Sequence, residues 1–103
     1  MWSLLLSRTK AALRKQLLVS VFPNPFSAEL HLELEFKTGS RAELIIYNLK
    51  GQRVKSWTLA QSGKQSLVWN GLNEKGGIVA SGVYLLRIKT SKQEKLVKVL
   101  KLK

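Results

Sequence analysis

The sequence predicts an all-β protein, an antiparallel sandwich of about seven strands, and three observations carry that expectation. The clearest is the alternation of Glu29-Leu30-His31-Leu32-Glu33-Leu34-Glu35-Phe36, which sets Leu30, Leu32, Leu34 and Phe36 on one face of a half-buried strand. Punctuation is the second. Clusters of Gly, Asn, Ser and Pro recur roughly every 8–12 residues between short β-rich runs, the spacing of an immunoglobulin-like sandwich. Third, no stretch after residue 17 shows a helical period.

Residues 1–16 read differently from the rest. Trp2, Leu5, Leu6, Ala12, Leu13 and, just beyond, Leu17 fall near helical spacing, with Arg8, Lys10, Arg14 and Lys15 between them and no acid. A membrane-surface helix and a targeting sequence are two readings. A secretory signal fits poorly, because the Leu4-Leu5-Leu6 run is too short and no A-x-A-like site follows. The preferred expectation is a short, basic amphipathic N-terminal extension ahead of a single domain, residues 17–103. No stretch reaches transmembrane length.

From Leu17 the period becomes two, and Leu17, Val19 and Val21 share a face. Pro23-Asn24-Pro25 ends this first strand, since proline has no N–H for a ladder. The Glu29–Phe36 strand follows, and Lys37-Thr38-Gly39-Ser40 turns the chain. Arg41 to Tyr47 places Ala42, Leu44 and Ile46 on one face and Ile45 and Tyr47 on the other. Asn48-Leu49-Lys50-Gly51 is a hairpin turn, and Gln52 to Ala60 returns with Val54, Trp57 and Leu59. Gln61-Ser62-Gly63-Lys64 turns again before Gln65 to Asn70, which carries Leu67 and Trp69. A polar loop with four glycines (Gly71, Gly76, Gly77 and Gly82) then leads into Val83–Thr90. Such density of glycine points to backbone angles or close approaches that side chains forbid. A turn at Ser91-Lys92-Gln93 precedes the last strand, Glu94 to Lys103.

The chemistry is sparse. The 103 residues include no cysteine and no Asp, which removes disulfides, thiolate metal sites and cysteine nucleophiles. No nucleophile elbow, phosphate-binding loop or His-Glu-x-x-His occurs, so neither an enzyme nor a cofactor is expected. His31, Glu33 and Glu35 share a strand face, but one His among carboxylates is expected to be a polar face and not a metal site. The net charge of +12, from 18 basic residues against 6 acidic, fits either acidic partners such as nucleic acid or anionic lipid, or a basic surface with no dedicated role. Lys92, Lys95, Lys98, Lys101 and Lys103, with Arg87 and Lys89, read as a candidate basic ridge for phosphates. Trp57, Trp69 and Tyr84 sit in apolar runs and are expected in the core, not exposed for base stacking, so nucleic acid is not an expected partner. Lysines on an edge strand also discourage edge-to-edge pairing.

Four segments together resemble a known family. They are Val21-Phe22-Pro23-Asn24-Pro25-Phe26, then Ile46-Tyr47-Asn48-Leu49-Lys50-Gly51-Gln52-Arg53-Val54, then Trp69-Asn70-Gly71 through Ala80-Ser81-Gly82-Val83-Tyr84-Leu85, and finally Lys98-Val99-Leu100-Lys101-Leu102-Lys103. In order and spacing they resemble the type A C-terminal sorting domain of the type IX (Por) secretion system of Bacteroidota. The immunoglobulin-like domain of the flagellar hook-capping protein is a related pattern.

The resemblance implies a non-catalytic sandwich that serves as an address. A passenger fused N-terminally crosses the inner membrane by a signal peptide, and the outer-membrane translocon recognises the folded domain. A sortase-like peptidase then cleaves ahead of it, here upstream of Val21, and the passenger is secreted or held at the cell surface. Carried onto this sequence, the recognition residues are Pro23, Asn24 and Pro25, then Gly82, Val83 and Tyr84, then Lys98, Val99, Leu100 and Lys101. Without a clear signal peptide, the chain is expected to follow that route only as part of a longer precursor. The alternatives from the residues alone are a structural immunoglobulin-like interaction module and, below it, a basic binder of nucleic acid or anionic surfaces.

Overall fold

A computed structural model of the chain describes residues 17–36, 41–60, 63–91 and 93–103. Among them lie β1 (Leu18–Phe22), β2 (Leu30–Phe36), β3 (Ala42–Tyr47), β4 (Arg53–Leu59), β5 (Gly63–Trp69), β6 (Gly82–Lys89) and β7 (Glu94–Lys101). They form two sheets, β1-β2-β5 and β4-β3-β6-β7, in which every neighbouring pair is antiparallel. The chain changes sheet after β2, β4 and β5, so the sandwich closes by crossovers between its layers. The expected all-β sandwich is thus observed.

Alternation dictates which face each strand buries. Leu30, Leu32, Leu34 and Phe36 of β2 are buried against Ala42, Leu44 and Ile46 of β3 and Leu86 and Ile88 of β6, within one hydrophobic core. Burying one such side chain contributes about 1.5–3 kcal/mol, which sets the register against slips that would turn this face outward. On β4, Val54, Trp57 and Leu59 do not share a parity. The register shift opposite Ile46 and Tyr47 resolves this, because a bulge lets Val54 and Trp57 both contribute to the core side.

Two turns are built alike. In Asn48-Leu49-Lys50-Gly51-Gln52 the Asn48 carboxamide oxygen accepts from the N–H of Lys50 (3.0 Å) and Gln52 (2.9 Å). In Asn73-Glu74-Lys75-Gly76-Gly77 the Asn73 oxygen accepts from Lys75 and Gly77, both at 2.9 Å. Gly51 and Gly76 close the two turns at φ 80° and 85°, and each donates to its Asn carbonyl at 3.0 Å. The second turn is pinned to β4, where Glu74 donates its N–H to Val54 (3.0 Å) and pairs with Lys55 (3.5 Å).

Strand boundaries differ from the sequence reading by one or two residues, most tellingly at the start of β5. Gly63 and Lys64 belong to β5 and not to the preceding turn, because they stand opposite Phe36 and Glu35 of β2. The partner strand overrides the turn preference of glycine. The N-terminal extension expected over residues 1–16 and the turn at Lys37–Ser40 lie outside the described residues.

Candidate functional site

Three segments far apart in sequence meet at one corner of the sandwich. Gly82, Val83 and Tyr84 open β6 and pair with Lys101, Leu100 and Val99 of β7. On the other side of β7, its free edge, lies the Pro23–Phe26 link between β1 and β2. The Asn24 carboxamide donates to the Lys98 carbonyl and accepts from the Leu100 N–H, both at 3.0 Å. Phe26 continues the contact as a one-residue parallel strand, donating to Leu100 (2.9 Å) and accepting from Leu102 (2.7 Å). The edge from Lys98 to Leu102 is therefore already occupied. Both Phe22–Pro23 and Asn24–Pro25 are cis peptides, and Pro23 and Pro25 are exposed.

Beneath the corner is an aromatic cluster. The Trp69 ring lies 5.4 Å from Phe26 and 5.5 Å, edge-on, from Tyr84, geometries that such rings favour. The Trp69 indole N–H donates to the Leu72 carbonyl (2.9 Å) and the Tyr84 hydroxyl to the Ala80 carbonyl (2.5 Å). The latter ties a tyrosine near the start of a strand to the chain four residues upstream, the form of a tyrosine corner. Burial pushes the Tyr84 phenol above its ordinary value of 10.0.

The sequence-selected residues thus divide by orientation. Tyr84, Val99 and Lys101 face inward and are buried. Lys101, only 7% exposed, lays its side chain over Gly71, where an added Cβ would stand 2.7 Å from Lys101 Cε. Gly71 also has φ 76°, so both a left-handed backbone and a close approach require glycine there. Asn24 is exposed but spends its amide on β7. Gly82, at φ 144°, meets nothing within 4 Å of an added Cβ. Val83, Lys98 and Leu100 lie on the outer face of the four-stranded sheet.

The candidate basic ridge divides between faces: Arg87, Lys89 and Lys98 share the outer face, and the remaining described strand lysines do not join them. Lys98 points outward, Lys101 is buried on the inner side, and Lys95 shares the parity of Lys101. Strand alternation sends neighbouring lysines to opposite faces; Lys92 lies outside the described residues. Trp69 and Tyr84 are in the core as expected, while Trp57 is half-buried against it with Lys55 Nζ 6.0 Å from its ring centroid. His31 stacks on Phe22 at 5.4 Å, and no group of three potential metal ligands occurs among the described residues.

Sequence reasoning placed Leu85 at the end of the third family-like segment but not among the recognition residues. It stands beside Tyr47 and Lys98 on the outer face, and Arg87 next to it pairs with Glu94. Glu94 first, and then the Tyr47 hydroxyl, hold the Arg87 guanidinium above its ordinary range. The signal was present in β3, whose Ile45 and Tyr47 make both of its faces apolar.

The family model described as the secretion system C-terminal sorting domain matches residues 20–102. No curated protein matches the chain. Among solved structures it is similar to PorZ of Porphyromonas gingivalis, an essential surface component of the type IX secretion system. There the identity is 24% over 82% of this chain and 11% of that one, with TM-score 0.59. It is also similar to dimeric latent PorU of P. gingivalis, with 18% identity over 84% of this chain and 9% of that one, TM-score 0.68. FlgD of Xanthomonas campestris, concerned with hook capping in flagellar assembly, shares 17% identity over 90% of this chain and 72% of that one, TM-score 0.54. The chain spans about a tenth of the first two proteins. At these identities the likeness is one of fold.

Proposed function

We propose that this chain, which belongs to the secretion system C-terminal sorting domain family, acts as a folded address read by the type IX translocon. The family is non-catalytic, and the chain is no enzyme. Residues 17–103 are the address and residues 1–16 an extension ahead of it. A passenger fused N-terminally would be carried through the outer membrane, released by a sortase-like peptidase and left secreted or at the cell surface.

The observation that most directly supports this reading is the convergence of the three family segments. Pro23–Phe26, Gly82–Tyr84 and Lys98–Lys101 come together through main-chain and amide bonds, so the corner exists only in the folded domain. A signal of that kind distinguishes a folded passenger tail from an unfolded one. Among the described residues no helix is long and apolar enough to cross a membrane.

The test fuses the 103-residue chain behind an exported reporter in a bacterium that has the type IX system. The reporter is expected on the cell surface. A reporter retained in the periplasm, where an established sorting domain delivers it outside, would remove the proposal in favour of a structural interaction module.

A further inference from the structure

We infer that the outer face of the β4-β3-β6-β7 sheet, centred on Leu96, Lys98 and Leu100, docks a protein surface that offers both apolar and acidic groups; this rests on the sorting reading above.

The edge of β7 gives the first reason. Asn24 and Phe26 already bond Lys98, Leu100 and Leu102. A partner strand cannot add along that edge without displacing them, so the main chain there is not what is read. What remains accessible is the side-chain face.

That face has a definite composition. Cross-strand pairing sets Leu96 beside Arg87, Lys98 beside Leu85, and Leu100 beside Val83. Leu96 is 67% exposed, and Leu100 is exposed beside half-buried Val83 and Leu85. Within its strands, four basic residues (Arg53, Arg87, Lys89 and Lys98) against Glu43 and Glu94 give the face an excess of two positive charges. Leu96 and Leu100 flank Lys98 on this face; apolar side chains exposed on a sheet mark an interaction site, and the interspersed basic groups select an acidic counterpart. The outer face of the other sheet is different, with Glu33 and Glu35 of β2 against Lys64 of β5.

A protein surface is favoured over an anionic membrane by the two glutamates embedded in the face. Glu94 is held there by Arg87, and Glu43 stands between Thr58 and Lys89. Negative groups in the contact plane oppose a uniformly anionic lipid sheet but fit a protein of mixed charge.

The reporter fusion of the whole chain tests this with Leu96→Glu/Lys98→Glu. Its control is Leu49→Glu/Lys50→Glu, which makes the same chemical change at the 70% exposed Leu49 on the β3–β4 turn. Thermal unfolding confirms that both variants fold. The face variant is expected to lose surface reporter by at least about tenfold, roughly what one anchor residue contributes, while the control matches wild type. Equal display of both variants would overturn the inference. So would binding of the wild-type chain to phosphatidylserine-containing vesicles that the face variant abolishes, since that assigns the face to lipid. A wild-type fusion that stays in the periplasm removes the sorting reading itself, and the docking face with it.

Discussion

The Asn24 side chain stands against Leu100 as the backbone of a neighbouring strand would, accepting from the Leu100 N–H and donating to the Lys98 carbonyl, each at 3.0 Å. A carboxamide carries both a donor and an acceptor, so a single residue can replace one rung of a ladder. This explains why a loop bounded by two prolines, which lack N–H groups, still seals a sheet edge.

Asn24→Ala should therefore destabilise the domain by about 1–2 kcal/mol, the net worth of two partly exposed hydrogen bonds. Asn24→Asp retains the acceptor for Leu100 but not the donor to Lys98, and should recover no more than about half of that loss. Urea unfolding measures both, and amide exchange at Leu100 should quicken in each variant. Unchanged exchange in Asn24→Ala would mean that water serves the edge equally well.

Gly71 and Lys101 form a second long-range pair. Gly71→Ala should cost about 1–2 kcal/mol, because its φ of 76° is a left-handed conformation. The clash with Lys101 Cε adds less, since a lysine terminus can swing away at the price of its burial. Lys101→Ala should accordingly rescue Gly71→Ala only slightly, which a double-mutant cycle in urea would read. Full rescue would show that close approach, and not the backbone angle, dictates the glycine.

Much of the sandwich was legible because each strand carries its burial in its own alternation: Leu30 to Phe36, and Ala42, Leu44 and Ile46, needed no knowledge of their partners. The start of β5 was not, because Gly63 and Lys64 extend only by pairing with β2. Nor was the broken parity of Val54 and Trp57, which a bulge resolves against β3. For the corner, the sequence held the three segments but not their orientation. Lys98 and Lys101 look alike in the chain, and only the register against β6 sends one outward and the other over Gly71. The convergence of Asn24 with Leu100 spans 76 residues, and no local pattern encodes it.

The two Asn-x-Lys-Gly turns offer a paired test. Asn73→Ala removes the acceptor for two main-chain N–H groups and should destabilise by about 0.5–1.5 kcal/mol, because these groups are exposed to water. Asn73→Asp preserves that acceptor and should be near neutral. Asn48→Asp should not be, because the Asn48 amide also donates to the Gln52 side chain at 2.8 Å. Thermal melts of the four Ala and Asp variants measure the contrast, and equal effects of Asp at both sites would refute the assignment.

Tyr84 allows a prediction with a sign. Burial raises its folded-state phenol above the ordinary value of 10.0, so the folded domain favours the protonated form. The resulting stability is fully present below the unfolded value and is lost as pH rises through the folded one. Tyr84→Phe keeps the ring against Trp69 but removes the bond to Ala80. At neutral pH it should cost about 1–2 kcal/mol. As pH rises from 8 to about 11 the gap between wild type and Tyr84→Phe should narrow, lysine titration being common to both proteins. Urea midpoints at the two pH values decide it. A gap that widens with pH would mean that the folded state accommodates the phenolate, against the enclosure that Trp69 and the Ala80 carbonyl build around this ring.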